Sequence, residues 1–277
     1  MKSYLLSLLC LTLLITSCAS KKFKNVSYLE KSETSKLKSE PTLNIFQPRN
    51  KKYKNNNVLV FVHGGNWNSG DKKTYNFFGR NFAKKGITTV IVGYTLSPEV
   101  NYDGMTKQVA KAINWTKNNI QNYNGNANEI FLTGHSAGGH LIALATVNPK
   151  YNVQNNTVKG IILNDAAGLD MYNYLKQIPP TTESDYLATW TNKPEEWKKA
   201  SPIYFLDKNS PKFMIYLGRK TYQSIKEGNA SFLKELELFQ GQIEPIFLNK
   251  KHVPMMTQYV FPWSDRYDEI IDFMNKN

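Results

Sequence analysis

The chain has 277 residues, 41% of them hydrophobic and 13% aromatic, which excludes a disordered or low-complexity protein and allows a sizeable core. Its formal charge is +13, yet the lysines are scattered among asparagines, as in "RNKKYKNNN" and "TKNNIQNYNGNANE". No nucleic-acid motif accompanies them, so charge alone makes no case for a nucleic-acid partner.

Residues 1–17 open with Lys2, continue through the apolar run "LLSLLCLTLLI" and close in small residues, the pattern of an export signal. That run is shorter than the about 20 apolar residues a spanning helix requires. "LITSC" resembles a bacterial lipobox, which implies cleavage just before Cys18 and lipidation of that cysteine. The protein is then expected to be exported and lipid-anchored to the cell envelope, on the periplasmic face of an outer membrane where two membranes exist. An ordinary secretory cleavage near Ala19 or Ser20 is the alternative. Cys10 falls in the removed segment, so the domain that follows has neither a disulfide nor a thiolate metal site of its own. Residues 18–41 are polar and charge-rich and are expected to form a tether, with a first strand near its end.

From residue 42 short apolar runs alternate with longer amphipathic ones. Strands are predicted over 43–46, 58–62, 88–92, 129–132, 158–163, 213–217 and 245–248, and helices over 72–85, 104–121, 137–146 and 223–238. The second helix carries Val109, Ile113 and Ile120 at helical spacing. This alternation predicts an α/β domain over 42–277, a mostly parallel sheet with helices on both faces. Residues 171–206 interrupt it with aromatics and helix breakers and are expected to fold as a small helical cap over the carboxyl edge of the sheet. Tyr172, Tyr174, Tyr186, Trp190 and Trp197 either face a ligand there or pack the insertion onto the body.

"GHSAG", residues 134–138, fits the G-x-S-x-G pattern, with an apolar strand entering and a helix leaving. Small residues flank the serine because the chain turns sharply there, lifting the hydroxyl out of the sheet, so Ser136 is the candidate nucleophile. "FVHGGNW" closes an earlier strand. Amides of such a turn, from Gly64, Gly65 and Asn66, can donate to the oxyanion formed when Ser136 attacks an acyl carbon, with Ala137 as the further donor.

Through "LNIFQP", "HGGNW", "VGYTLSPE", "KAINW", "GHSAGGHL", "ASPIYF", "PKFMIYLG" and "KHVPMM", the sequence resembles the α/β-hydrolase superfamily. Within it the likeness is to the HGG-motif carboxylesterases, the branch that also holds feruloyl-type esterases and kynurenine-formamidase-like amidohydrolases. The resemblance implies an α/β-hydrolase fold with its cap after the sixth strand. It also implies an acyl-enzyme reaction on a small carboxylic ester or activated amide, with no metal or organic cofactor.

A serine hydroxyl needs a base, and the chain has four histidines. His63 is expected to brace the oxyanion turn, His135 to point away from the hydroxyl, and His140 to sit in or near the core. His252 follows the last predicted strand and comes last in the order Ser, acid, His, so it is the candidate base. The acid departs from the family pattern: the strand "FMIYLG" is followed by "RKTYQSIKEGN", with no carboxylate before Glu227. Three readings stay open. Asp165, after the preceding strand, is favoured, Asp170 there resembling a structural aspartate of the branch. Glu227 is the second. In the third no carboxylate serves, and Thr221, Tyr222 or a carbonyl orients His252, which keeps a catalytically weak protein acting as a binding scaffold in play. Thr95 and Gln108 also replace a familiar arginine and aspartate.

Overall fold

The structure is a computed structural model and describes residues 20–277 apart from 51, 53, 54 and 155. The export segment and Cys18 lie outside the described residues.

Eight strands are described: β1 (Ser20–Ser27), β2 (Thr42–Pro48), β3 (Asn56–Val62), β4 (Thr88–Val92), β5 (Gly125–His135), β6 (Val158–Asn164), β7 (Lys212–Gly218) and β8 (Ile246–Leu248). They form one sheet in the order β1-β2-β4-β3-β5-β6-β7-β8. β2 pairs antiparallel with β1 and β4, and every other pairing is parallel. The helices are α1 (Lys31–Thr34), α2 (Asn76–Lys84), α3 (Tyr102–Asn119), α4 (Ala137–Val147), α5 (Met171–Gln177), α6 (Tyr186–Trp190), α7 (Pro194–Lys199), α8 (Gln223–Gln240) and α9 (Asp265–Lys276).

Consecutive strand side chains point to opposite faces, so the sheet carries a core on each side. Val58, Val60 and Val62 join Ile130, Leu132, Ile161 and Leu163 beneath α3 and α4. Leu59, Phe61, Phe131 and Ile162 meet Phe78 and Phe82 of α2 and Tyr267, Ile270 and Met274 of α9 on the other side. Burial on both faces explains why the central strands read as unbroken apolar runs. α4 is buried along its length except at Thr146, so its sequence shows no polar stripe.

Residues 20–41, expected as part of a tether, instead carry the edge strand β1 at their start and the short helix α1. Lysine-rich "SKKFKNVS" conceals the strand, but its apolar parts are used. Phe23 packs edge-on against Tyr123 at 4.8 Å, and the Lys22 ammonium lies 5.2 Å from the Phe46 ring. Just beyond the strand, buried Tyr28 donates to the Gly93 carbonyl at 2.8 Å. Lysines on an outermost strand also discourage edge-to-edge pairing.

The parallel strands end along one edge, which gathers the connections after β3, β5, β6, β7 and β8. Over it sits the insertion, as α5, α6 and α7 joined by short turns. Trp190 is fully buried, stacked on Tyr102 at 5.5 Å and edge-on to Trp67 at 4.7 Å. Trp197 donates to the Trp190 carbonyl at 3.1 Å, so both tryptophans pack the insertion onto the body.

Candidate active site

Ser136 occupies the turn between β5 and α4 with φ 52° and ψ −122°, a strained conformation for a residue with a side chain. The turn closes because its neighbours are small: a Cβ on Gly138 would lie 2.1 Å from the Val62 carbonyl oxygen. The strain presents the hydroxyl to His252, whose Nε2 is 2.8 Å from Ser136 Oγ. On the other side of the ring, Nδ1 is 2.6 Å from Asp165 Oδ2. A carboxylate only accepts, so Asp165 sets the hydrogen on Nδ1 and leaves Nε2 free to accept from the serine.

Asp165 follows β6 in a left-handed conformation, φ 52°, which turns its side chain under the His252 loop. It is fully buried; its amide donates to the Tyr216 carbonyl at 2.8 Å, and its carboxylate is held by groups at the end of β7 and in the connections after β7 and β8. Besides His252 it accepts from the Gly218 amide at 2.8 Å and from the Thr221 hydroxyl. Thr221, at the usual place of the acid, lies 3.5 Å from His252 Nδ1 and holds the relocated carboxylate. The other carboxylates weighed for this place lie elsewhere. Asp170 caps α5, accepting from the Asn173 amide at 3.2 Å. Glu227 is exposed on α8 and accepts from Gln223 at 2.9 Å.

The remaining histidines brace this arrangement. His63 Nδ1 donates to the Gly64 carbonyl at 2.8 Å, and its ring stacks on Tyr94 at 4.5 Å. His135 belongs to the site through the base: its ring stacks on His252 at 4.8 Å, and Nε2 donates to the His252 carbonyl at 3.1 Å. Burial, then the neighbouring His252, pulls the His135 pKa down to about 4. His140 donates through Nε2 to the Ala200 carbonyl at 2.7 Å and accepts at Nδ1 from Trp67 at 3.1 Å. Complete burial likewise lowers its pKa to about 4.

Gly65 has φ 129°, and a Cβ there would stand 2.1 Å from the Ser69 carbonyl oxygen, so only glycine fits. The Gly65 carbonyl turns into the loop to accept from the Ser69 amide at 2.9 Å and the Asn68 amide at 3.1 Å. Across a trans peptide the N–H points opposite to the carbonyl, so the Asn66 amide faces outward. Ser136 O in the same way accepts from the His140 and Ala167 amides, each at 3.2 Å, which turns the Ala137 amide outward from the helix. No acceptor among the described residues takes the amide hydrogens of Gly65, Asn66 or Ala137.

Gly64, Gly65, Asn66, His135, Ser136 and His252 line a cavity of about 570 Å³. Tyr174 and Tyr186 of the cap wall it, and the Tyr186 hydroxyl donates to Asn66 Oδ1 at 3.0 Å. Tyr172 instead packs edge-on against Tyr204. Met171, Ile225 and the exposed Tyr222, whose ring is 5.2 Å from that of His252, were not singled out as cavity residues in the sequence. Nothing in their spacing marks them, because the cap and the β7–α8 turn bring them together only in three dimensions.

A mostly parallel sheet, a strained serine between strand and helix, and a histidine between serine and carboxylate define an α/β-hydrolase fold with a serine-centred site. The chain belongs to the BD-FAE family, whose model matches residues 43–226. It is 29% identical over 193 residues to esterase LipC of Mycobacterium tuberculosis, covering 65% of this chain and 48% of that one. To kynurenine formamidase of Salmo salar it is 34% identical over 108 residues, 38% of this chain and 35% of that one. The chain spans about half or less of the length of these curated relatives. Among solved structures, esterase B from Lactobacillus Rhamnosis inhibited by a tributyrin phosphonate superposes with a TM-score of 0.75 at 19% identity, over 94% of this chain and 86% of that one.

Proposed function

We propose that the protein hydrolyses carboxylic esters of small molecules by a two-step acyl-enzyme route. The observation that carries this reading is the position of His252, 2.8 Å from the Ser136 hydroxyl and 2.6 Å from the Asp165 carboxylate. As Ser136 Oγ attacks the acyl carbon, its proton passes to His252 Nε2, and buried Asp165 stabilises the imidazolium. The amides of Gly65, Asn66 and Ala137, with the flanking Gly64 turn, hold the charge that develops on the carbonyl oxygen. Collapse of the tetrahedral intermediate breaks the ester C–O bond, and His252 returns the proton to the departing alkoxide. Water then attacks the acyl-serine with His252 as base, releasing the acid and restoring Ser136.

The family and the esterases among the relatives support an ester as substrate. Likeness to a kynurenine formamidase supports activated amides such as aryl-formamides as a second class. A fluorophosphonate should label the wild type and fail to label Ser136→Ala, and His252→Ala should bring p-nitrophenyl ester hydrolysis near the buffer rate. Labelling that persists in Ser136→Ala would overturn the assignment.

From the lipobox-like "LITSC" we further propose that the mature chain is held at the cell envelope, lipidated at Cys18. Globomycin should block its processing, and Cys18→Ala should release it from the membrane fraction. Unchanged fractionation of that variant would count against the anchor.

A further inference from the structure

β1 pairs antiparallel with β2, which pairs antiparallel with β4, so β1 runs in the same direction as β3 to β8. Ser20, its first residue, therefore lies at the edge where the parallel strands begin, opposite Pro48 at the end of β2. Ser136, Asp165 and His252 follow the far ends of β5, β6 and β8. For a strand of eight residues the two edges stand about 25 Å apart.

The corner around Ser20 is cationic. β1 begins with Lys21 and Lys22, and the chain leaving β2 continues "RNKKYKNNN", with Arg49 and Lys52 exposed. α2 returns to the same edge and ends in exposed Lys84, followed by Lys85, which pairs with Asp268 at 2.6 Å. None of residues 20–27, 49–57 or 76–85 is acidic. Burial first, then the charges of Lys24, Lys72 and Arg80, hold the Lys22 pKa below the usual lysine range.

We infer that this corner is a docking surface for an anionic lipid bilayer: anchored two residues before Ser20, the domain rests on headgroups through Lys21, Lys22, Arg49 and Lys84 and turns its catalytic cavity toward water. The inference rests on the lipidation of Cys18 proposed above. Two residues reach only about 7 Å, too little to let the domain roll over on its anchor. Basic side chains near the surface add an attraction that fades within a Debye length. The cavity then meets esters dissolved in the aqueous compartment, with the height of the sheet between it and the lipids.

The test uses the full chain, processed in cells and reconstituted into phosphatidylglycerol-containing vesicles that carry a quencher on their headgroups. After processing, Cys18 is the only native cysteine. A fluorophore can therefore be placed at Lys52→Cys on the cationic corner or at Lys73→Cys, whose side chain is 70% exposed beside the catalytic edge. The label at position 52 should be quenched several-fold more than the label at 73. That difference should shrink several-fold in phosphatidylcholine vesicles and in Lys21→Glu/Arg49→Glu/Lys84→Glu. Vesicle-bound protein with equal quenching at both positions, stronger quenching at 73, or a difference indifferent to charge overturns the docking surface alone. Protein that does not float with the vesicles overturns the anchor and the docking surface with it.

Discussion

The Thr221 hydroxyl donates to the same Asp165 oxygen that receives His252 Nδ1. A carboxylate supplied from the end of β6 is thus held by the residue that stands where the acid of related hydrolases usually stands. Thr221→Val removes that donor from a fully buried carboxylate and should lower kcat for a p-nitrophenyl ester by about 10- to 100-fold, the upper figure being the loss a misplacement of about 1 Å in a catalytic constellation brings. Thr221→Ser should restore most of it. A role limited to stability would instead lower Tm and leave kcat and its pH profile unmoved.

Asp165→Asn should cost on the order of 10³ to 10⁴ in kcat with Tm little changed, because the amide cannot hold His252 in the required tautomer. Glu227→Gln should match wild type within experimental error. Asp170→Ala should leave kcat nearly intact and cost about 1 kcal/mol of stability through loss of the α5 cap. Thermal melts and initial rates on the three variants separate these outcomes. An active Asp165→Asn would move the acid elsewhere.

Thr95 and Gln108, which replace a familiar arginine and aspartate, face one another. Gln108 Oε1 accepts from the Thr95 amide at 2.7 Å, and Gln108 Nε2 donates to the Thr95 hydroxyl at 3.1 Å. The two departures therefore form one buried polar pair between the β4 connection and α3. Thr95→Val and Gln108→Leu should each cost about 1–3 kcal/mol, and the double variant should cost clearly less than their sum. Additive losses in chemical denaturation would show the pair to be uncoupled.

His140 is held neutral in the folded chain, with a pKa near 4 set by burial. An unfolded histidine titrates near 6.5, so the unfolded state takes up a proton first as pH falls. The stability this neutral ring contributes is complete above about pH 6.5 and is lost progressively down to about pH 4, by about 3 kcal/mol for a shift of this size. His135 behaves in the same sense. His140→Gln keeps a donor and an acceptor but cannot titrate, so the gap in Tm between wild type and this variant should narrow from pH 8 to pH 5. A constant gap would rule out the titration.

The central strands were legible because burial on both faces makes them continuous apolar runs, and Ser136 was legible because its turn admits only small neighbours. β1 was not, since its lysines, two of which lie over the Phe23 and Phe46 rings, look like a solvated segment. α9 leaves little trace at the C-terminus, where its apolar positions are spaced among acidic residues. The support of His252 stayed open because it depends on the left-handed backbone of Asp165 and on a turn that carries Thr221 back beneath it. Neither feature leaves a periodic trace.

Trp67 adjoins the oxyanion turn, Ala200 closes the cap, and His140 bonds to both. The insertion is therefore riveted to the catalytic floor rather than hinged over it. The cavity opens beside Tyr222 and Val253, both exposed at its rim. Turnover should then depend weakly on solvent viscosity, and the size limit for substrates should be reset by trimming Tyr174 or Tyr186 rather than by loosening the insertion.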